Sequence, residues 1–282
     1  MLVRTELDCQ GAGVMPFVTA NGVRTYVEET GEGPSLLLIA GNGMDHTTFR
    51  DQVPHFSRHF RCITYDLRGI GRSDVPVDGY TVRELATDAL ALLDSLDMPA
   101  AHVAGYSLGG AIGQEMTLMH PARVKTLSLY STYSHVAPYL RRRYELLIKI
   151  LTECTPELWA RFTVFSAFGE EYINAHDEEL NREVALREAR WHGPDAPSKI
   201  GLLGHYRAIL SHNALERLGA IHCPTWIAVG SSDPVTPPSY ARLIHGKVAG
   251  SHLTIYPGAP HRLLNFSPQF TEQALAFLLA HR

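Results

Sequence analysis

Long apolar runs are missing from this chain. No stretch of its 282 residues approaches the roughly 18–20 apolar residues that a membrane-spanning helix requires, so no membrane partner is expected. Positive charge is not in excess: 25 Lys and Arg face 29 Asp and Glu, a formal net charge of −4. The one basic cluster, Arg141-Arg142-Arg143, is too short to make an electrostatic footprint for nucleic acid. Cysteine is sparse as well. Cys9, Cys62, Cys154 and Cys223 include no C-x-x-C pair, which argues against a zinc site and a disulfide framework. A reducing, cytoplasmic setting is the expectation. Residues 1–14 lack the apolar region of a secretory signal. With Met15 an equally natural start, they read as a flexible N-terminal extension. Internal repeats and low-complexity tracts are also absent.

What is there has the composition of an ordinary globular protein, 45% hydrophobic and 19% charged. The length allows one large α/β domain with an inserted subdomain. Phe17–Ala20 and Val23–Glu29 read as strands joined by Asn21-Gly22, a strong hairpin signal. Ser35–Ile39 is a continuous apolar run bounded by Gly33-Pro34 and Gly41, which suits a strand buried on both faces. The pattern returns at Cys62–Tyr65, Ala101–Ala104, Val124–Tyr130, Thr225–Val229 and His252–Tyr256. Helical patterns lie between, at Phe49–Phe60, Thr81–Leu96, Leu108–Met119, Ser239–Val248 and Pro268–Ala280. This alternation predicts an α/β fold with a doubly wound, mostly parallel sheet. It breaks between Ser134 and Leu218, where only helical stretches occur, at Tyr139–Leu151, Pro156–Phe168, Glu178–Trp191 and Ile200–Leu210. The expected organisation is a core of residues 15–133 and 219–282 with an all-helical cap at 134–218.

One short stretch carries the chemistry. Gly105-Tyr106-Ser107-Leu108-Gly109 places a serine where a predicted strand turns into a predicted helix. Small residues two before and two after it permit the close packing of a nucleophile elbow. A serine hydroxyl is a weak nucleophile and needs a base, an orienting acid and oxyanion donors. Asp233 follows the predicted strand Thr225–Val229, and His261 follows His252–Tyr256. Both fall where parallel sheets gather functional groups, beyond the carboxyl ends of strands. The chain order Ser107, Asp233, His261 is that of one of the known triad arrangements.

At these residues the chain, from Pro16 onward, resembles the α/β-hydrolase-fold serine hydrolases. Asp66-Leu67-Arg68-Gly69-Ile70-Gly71-Arg72-Ser73 is similar to that family's D-x-R-G-x-G-x-S loop, and Ile39-Ala40-Gly41-Asn42-Gly43 stands where the family carries an H-G-x-G oxyanion loop. The resemblance implies that the backbone N–H groups of Asn42 and Leu108 are the oxyanion donors. It departs at Ala40 and Ile70, where histidines are usual, and at Asn265, where many members have a glutamate. Within the superfamily, the Gly230–Pro237 stretch and the helical block resemble the 3-oxoadipate enol-lactonase-like group. The block and the ending His261-x-x-x-Asn265-x-x-Pro268 resemble aminoacrylate or carbamate hydrolases of pyrimidine breakdown.

Other polar residues read as structural. His102 lies in an apolar strand, His120 at a helix end, and His205 and His212 in the cap or its exit. Asp66 belongs to a turn, and Asp88 reads as lying on the polar side of a helix. Trp159, Phe162, Phe165 and Phe168 recur at near-helical spacing. At least two are expected in the cap's own core. Trp159, Phe162 and Phe165, with Met44 and Tyr106, are expected to line a substrate pocket.

The expectation is a serine hydrolase that needs no cofactor or metal and acts on a small-molecule carboxylic ester or lactone. A second reading keeps the triad but cleaves a C–C or C–N bond of a β-diketone, enamine or carbamate. A third, a ligand receptor built on a hydrolase pocket, is disfavoured because every chemical part is present. The oligomeric state is open and compatible with a homodimer.

Overall fold

The computed structural model describes residues 16–193 and 196–282. The expected extension at 1–14, with Cys9, lies outside the described residues. Among the described residues the strands are β1 (Phe17–Ala20), β2 (Val23–Thr30), β3 (Ser35–Ile39), β4 (Arg61–Tyr65), β5 (Ala101–Tyr106), β6 (Val124–Tyr130), β7 (Thr225–Gly230) and β8 (His252–Tyr256). They form one sheet in the order β1-β2-β4-β3-β5-β6-β7-β8. The first two pairings are antiparallel and all the others parallel. Asn21 and Gly22 make the β1–β2 turn with φ of 50° and 75°, as a two-residue hairpin with right-handed strand twist requires.

The helices are α1 (Val53–Phe56), α2 (Val82–Ser95), α3 (Leu108–Met119), α4 (Pro138–Glu153), α5 (Pro156–Phe165), α6 (Glu170–Trp191), α7 (Lys199–Ser211), α8 (Pro238–Lys247) and α9 (Pro268–Ala280). Thr81 starts α2 by accepting the Glu84 N–H at 3.0 Å, an N-cap that satisfies an otherwise orphaned donor. Alternation along the strands feeds both sheet faces. Leu37, Ile39, Val103, Leu127 and Val229 pack with α2, α3 and α8 in one core, while Leu36, Leu38, Ala104, Tyr130 and Trp226 pack with Phe56 and α9 in the other. Apolar runs without polar interruption are the sequence form of a sheet covered on both sides.

The all-helical insertion is α4 to α7, between β6 and β7. Its α4 and α7 residues Leu140, Leu147, Leu202, Tyr206 and Ile209 join the larger sheet core, and only Val164, Phe168 and Leu180 form a separate cluster of buried residues. The insertion is therefore seated on the sheet.

Some elements differ from expectation. Phe49–Phe60 is not one helix but a 3-10 turn at His46–Phe49 followed by the single turn of α1. Phe49, Phe56 and Phe60 are nonetheless all buried, so burial explains their spacing without a continuous helix. Helix α6 begins at Glu170, earlier than its apolar pattern, and is kinked at His176 (φ −131°, ψ 26°). Asp88 is not on a polar face. It is buried, takes two 2.5 Å bonds from Arg68 and one of 2.8 Å from Asn21, and burial is the main reason its pKa is raised. Among the described residues no helix is long and apolar enough to cross a membrane, and Cys62, Cys154 and Cys223 are free.

His102, His205 and His212 are buried, and this burial is the main cause that lowers each pKa to about 4. Arg68's charge adds to the effect on His205, whose bond to the Arg68 carbonyl opposes it. In the unfolded chain histidine titrates near pH ~6.5. Between that value and about 4 the unfolded state therefore binds protons that the folded state does not, and stability falls as pH drops through this window. The urea midpoint is expected to decline steadily from about pH 7 to about pH 4.5; a constant midpoint would contradict this account of the three histidines.

Candidate active site

Strand β5 ends at Tyr106, and Ser107 turns the chain into α3 with φ 53° and ψ −113°. This is a positive φ in a residue that has a Cβ, and such strain persists only where the surroundings over-determine it. The surroundings are the packed glycines: a Cβ on Gly105 would lie 2.2 Å from the Gly109 carbonyl oxygen. The Ser107 N–H is held by the Tyr130 carbonyl at 2.9 Å, and the Thr132 hydroxyl donates to the Ser107 carbonyl at 2.6 Å. Ser107 lines a cavity of about 680 Å³.

Asp233 and His261 meet Ser107 from the loops after β7 and β8. Ser107 Oγ is 3.3 Å from His261 Nε2, and His261 Nδ1 is 2.8 Å from Asp233 Oδ2. The other Asp233 oxygen accepts the N–H groups of Val235 and Thr236 at 2.8 and 2.9 Å. The Thr236 hydroxyl donates to Oδ2 at 3.0 Å. Sequence reasoning missed this contact of Thr236; an Asp followed three residues later by Thr is a turn signature that could have pointed to it. Rival acids are otherwise engaged. Asp66 is fully buried and accepts the N–H and Nδ1 of His46 at 2.7 and 2.8 Å and the N–H of Arg72 at 2.9 Å.

Asn42 lies on the cavity wall just past β3. Leu108 opens α3, so its N–H has no acceptor within the helix, and its side chain is buried in the core. The Asp66–His46 bonds anchor the loop that carries Asn42. Met44, Tyr106 and Trp159 all line the cavity.

Phe162 and Phe165 do not line it. Phe162 packs against the larger core, and Phe165 is 67% exposed. Successive steps of three residues rotate about 300° around a helix, so Trp159, Phe162 and Phe165 drift away from a common face. Part of the lining comes from residues sequence reasoning did not single out. Tyr144, Leu147 and Tyr206 face the cavity from α4 and α7. The Trp159 indole donates to the Tyr206 hydroxyl at 2.9 Å.

The wall carries an excess of positive charge, with six arginines against three carboxylates. Glu183 on α6 binds both Arg187 and Arg262, and Asp45 takes Arg190 at 3.2 Å. Arg143 instead meets the Ser166 hydroxyl at 2.8 Å. Among the described residues no group of three or more His, Cys, Asp or Glu is arranged to hold a metal ion.

Sheet order, helical insertion and a serine at the β5–α3 turn together define the α/β-hydrolase fold. Residues 34–148 match the family described as alpha/beta hydrolase fold. A relative in Azorhizobium caulinodans named "Putative carbamate hydrolase RutD" is 28% identical over 264 residues, covering 93% of this chain and 98% of its own length. A solved hydrolase from Pseudomonas aeruginosa PA01 matches with a TM-score of 0.83 and 29% identity, over 95% of this chain and 99% of that one. The enol-lactonase from Burkholderia xenovorans LB400 matches with a TM-score of 0.81 and 24% identity, over 94% and 100%. That last likeness speaks to the fold.

Proposed function

We propose that this α/β hydrolase works through a Ser107–His261–Asp233 triad on a small to medium carboxylic ester or lactone. The contact chain from Ser107 Oγ through His261 to Asp233 Oδ2, opening on the cavity, is the observation that carries the reading. In this scheme Ser107 Oγ attacks the carbonyl carbon while His261 Nε2 takes its proton. The N–H groups of Asn42 and Leu108 meet the developing oxyanion. His261 returns the proton to the leaving group as the acyl-enzyme forms, and water, activated by the same imidazole, releases the acid. Asp233 holds the imidazole in the Nδ1–H tautomer and stabilises the imidazolium. The excess of arginine on the wall supports a substrate that also carries an anionic group, because a positive cleft attracts anions. Helices α4 to α7 act here as a cap, with boundaries near residues 134 and 218, that shapes the pocket.

A second reading has specific support: the same triad would cleave a carbamate. The Azorhizobium caulinodans relative given that name aligns with 93% of this chain. In a carbamate the nitrogen lone pair donates into the carbonyl, so the carbamoyl-enzyme would hydrolyse more slowly than an acyl-enzyme. Matched aryl esters, lactones and aryl carbamates separate the readings. Steady ester or lactone turnover with a stalled carbamoyl burst supports the first, and sustained carbamate turnover the second. On the ester panel, Trp159→Ala is expected to change selectivity between short and bulky acyl groups by roughly 1–3 kcal/mol. Phe165→Ala is expected to leave the ratio unchanged. The reverse pattern would contradict the assignment of the cavity as the acyl pocket.

A further inference from the structure

We infer that Tyr106 is a positioning residue that holds the histidine loop and the Asn42 loop in register with Ser107. The inference rests on the triad reading above. Tyr106 precedes the serine and is 3% exposed. Its hydroxyl donates to the His261 carbonyl at 3.2 Å, and its ring lies 5.3 Å from the imidazole centroid at a tilt of 41°. Burial pushes its phenol pKa up, so it remains a neutral donor across the working range of a histidine base.

The same ring closes against the opposite loop. A Cβ on Gly41 would lie 2.9 and 3.0 Å from Tyr106 Cδ1 and Cε1. Gly41 is therefore bare where the ring passes, and Asn42 follows it directly. One side chain thus touches the histidine and the residue next to Asn42, while its own backbone leads into Ser107. Few other contacts fix the histidine's backbone. Its N–H reaches the Ala167 carbonyl at 3.3 Å, on the cap side, and its carbonyl also accepts the Leu263 N–H at 2.8 Å. Tyr106 supplies the link from the sheet. Because Ser107 and His261 are already 3.3 Å apart, a small drift of the imidazole breaks the proton-transfer geometry.

Tyr106→Phe keeps the ring and deletes the bond. It is expected to lower kcat roughly three- to tenfold with KM little changed, the scale of one lost buried hydrogen bond. Tyr106→Leu is expected to lower kcat on the order of a hundredfold, as misplacement of reacting groups does. Gly41→Ala should also lower kcat in the parent, where the new methyl meets the ring. In the Tyr106→Leu background it should add little, because the obstructing ring has gone. A rise in KM alone in Tyr106→Phe would make Tyr106 a substrate contact and overturn the inference, as would an unchanged kcat. So would Gly41→Ala losses that multiply across the two backgrounds. Tyr106→Phe carries the test even if Tyr106→Leu does not fold. Fluorophosphonate labelling separates the two levels: label on a residue other than Ser107 in the parent overturns the triad reading. Label on Ser107, with parental kcat in both Tyr106 variants, overturns this inference alone.

Discussion

Replacing Ser107 by alanine is expected to lower kcat/KM by a factor on the order of 10⁶, as loss of the nucleophile does where a triad works as a unit. The same substitution should leave the unfolding midpoint close to that of the parent. The Ser107 hydroxyl makes one side-chain hydrogen bond, to His261 at 3.3 Å, while the strained turn is held by backbone bonds and packed glycines that alanine preserves. A residue serving chemistry costs little stability when removed, and removing it often helps. Measuring activity and urea midpoint on one preparation checks both halves. Retained activity would remove Ser107 from the mechanism. Lost activity with a collapsed midpoint would make it a packing residue.

Asp233→Asn is the second large effect, with an expected loss of roughly 10³–10⁴ in kcat/KM. Two backbone N–H groups, of Val235 and Thr236, hold one carboxylate oxygen at 2.8 and 2.9 Å. They would fix an asparagine with its oxygen toward them and its NH2 toward His261 Nδ1. The amide would then donate to Nδ1 and force the imidazole proton onto Nε2, facing Ser107, where no base is left. In the His261→Ala background there is no tautomer to spoil, so adding Asp233→Asn should cost little more. Losses that multiply would mean that the two residues act separately. Asp66 is then no substitute, because its carboxylate is tied to His46 and Arg72.

Much of the architecture was legible because each parallel strand is a short apolar run bracketed by glycine, proline or polar residues. Ser35–Ile39 and Val124–Tyr130 have the expected bounds, as does the helix Leu108–Met119. The elbow was legible for the same kind of reason: only small residues fit beside the Ser107 turn, so the steric demand is written as glycine. Positions of Asp233 and His261 followed from strand ends, since a parallel sheet brings all its carboxyl ends to one edge. What escaped depends on contacts far along the chain. Asp88 looked solvated because Arg68, its partner, arrives from another loop. The bond of Tyr106 to the His261 carbonyl escaped because the two residues are 155 positions apart. Phe165 shares the aromatic spacing of Trp159, yet helical rotation turns it to solvent. The start of α6 is polar and carries no apolar stripe to mark it.

The central claim, a covalent intermediate on Ser107, is tested most directly by rapid acid quench of the enzyme with an activated aryl ester, followed by intact-mass and peptide mass spectrometry. The account predicts a mass gain of one acyl group per chain, located on the peptide carrying Ser107. That adduct should form with release of the aryl alcohol and decay at the rate of turnover. Turnover without any adduct on that peptide, or an adduct that forms and decays on another residue, would contradict it.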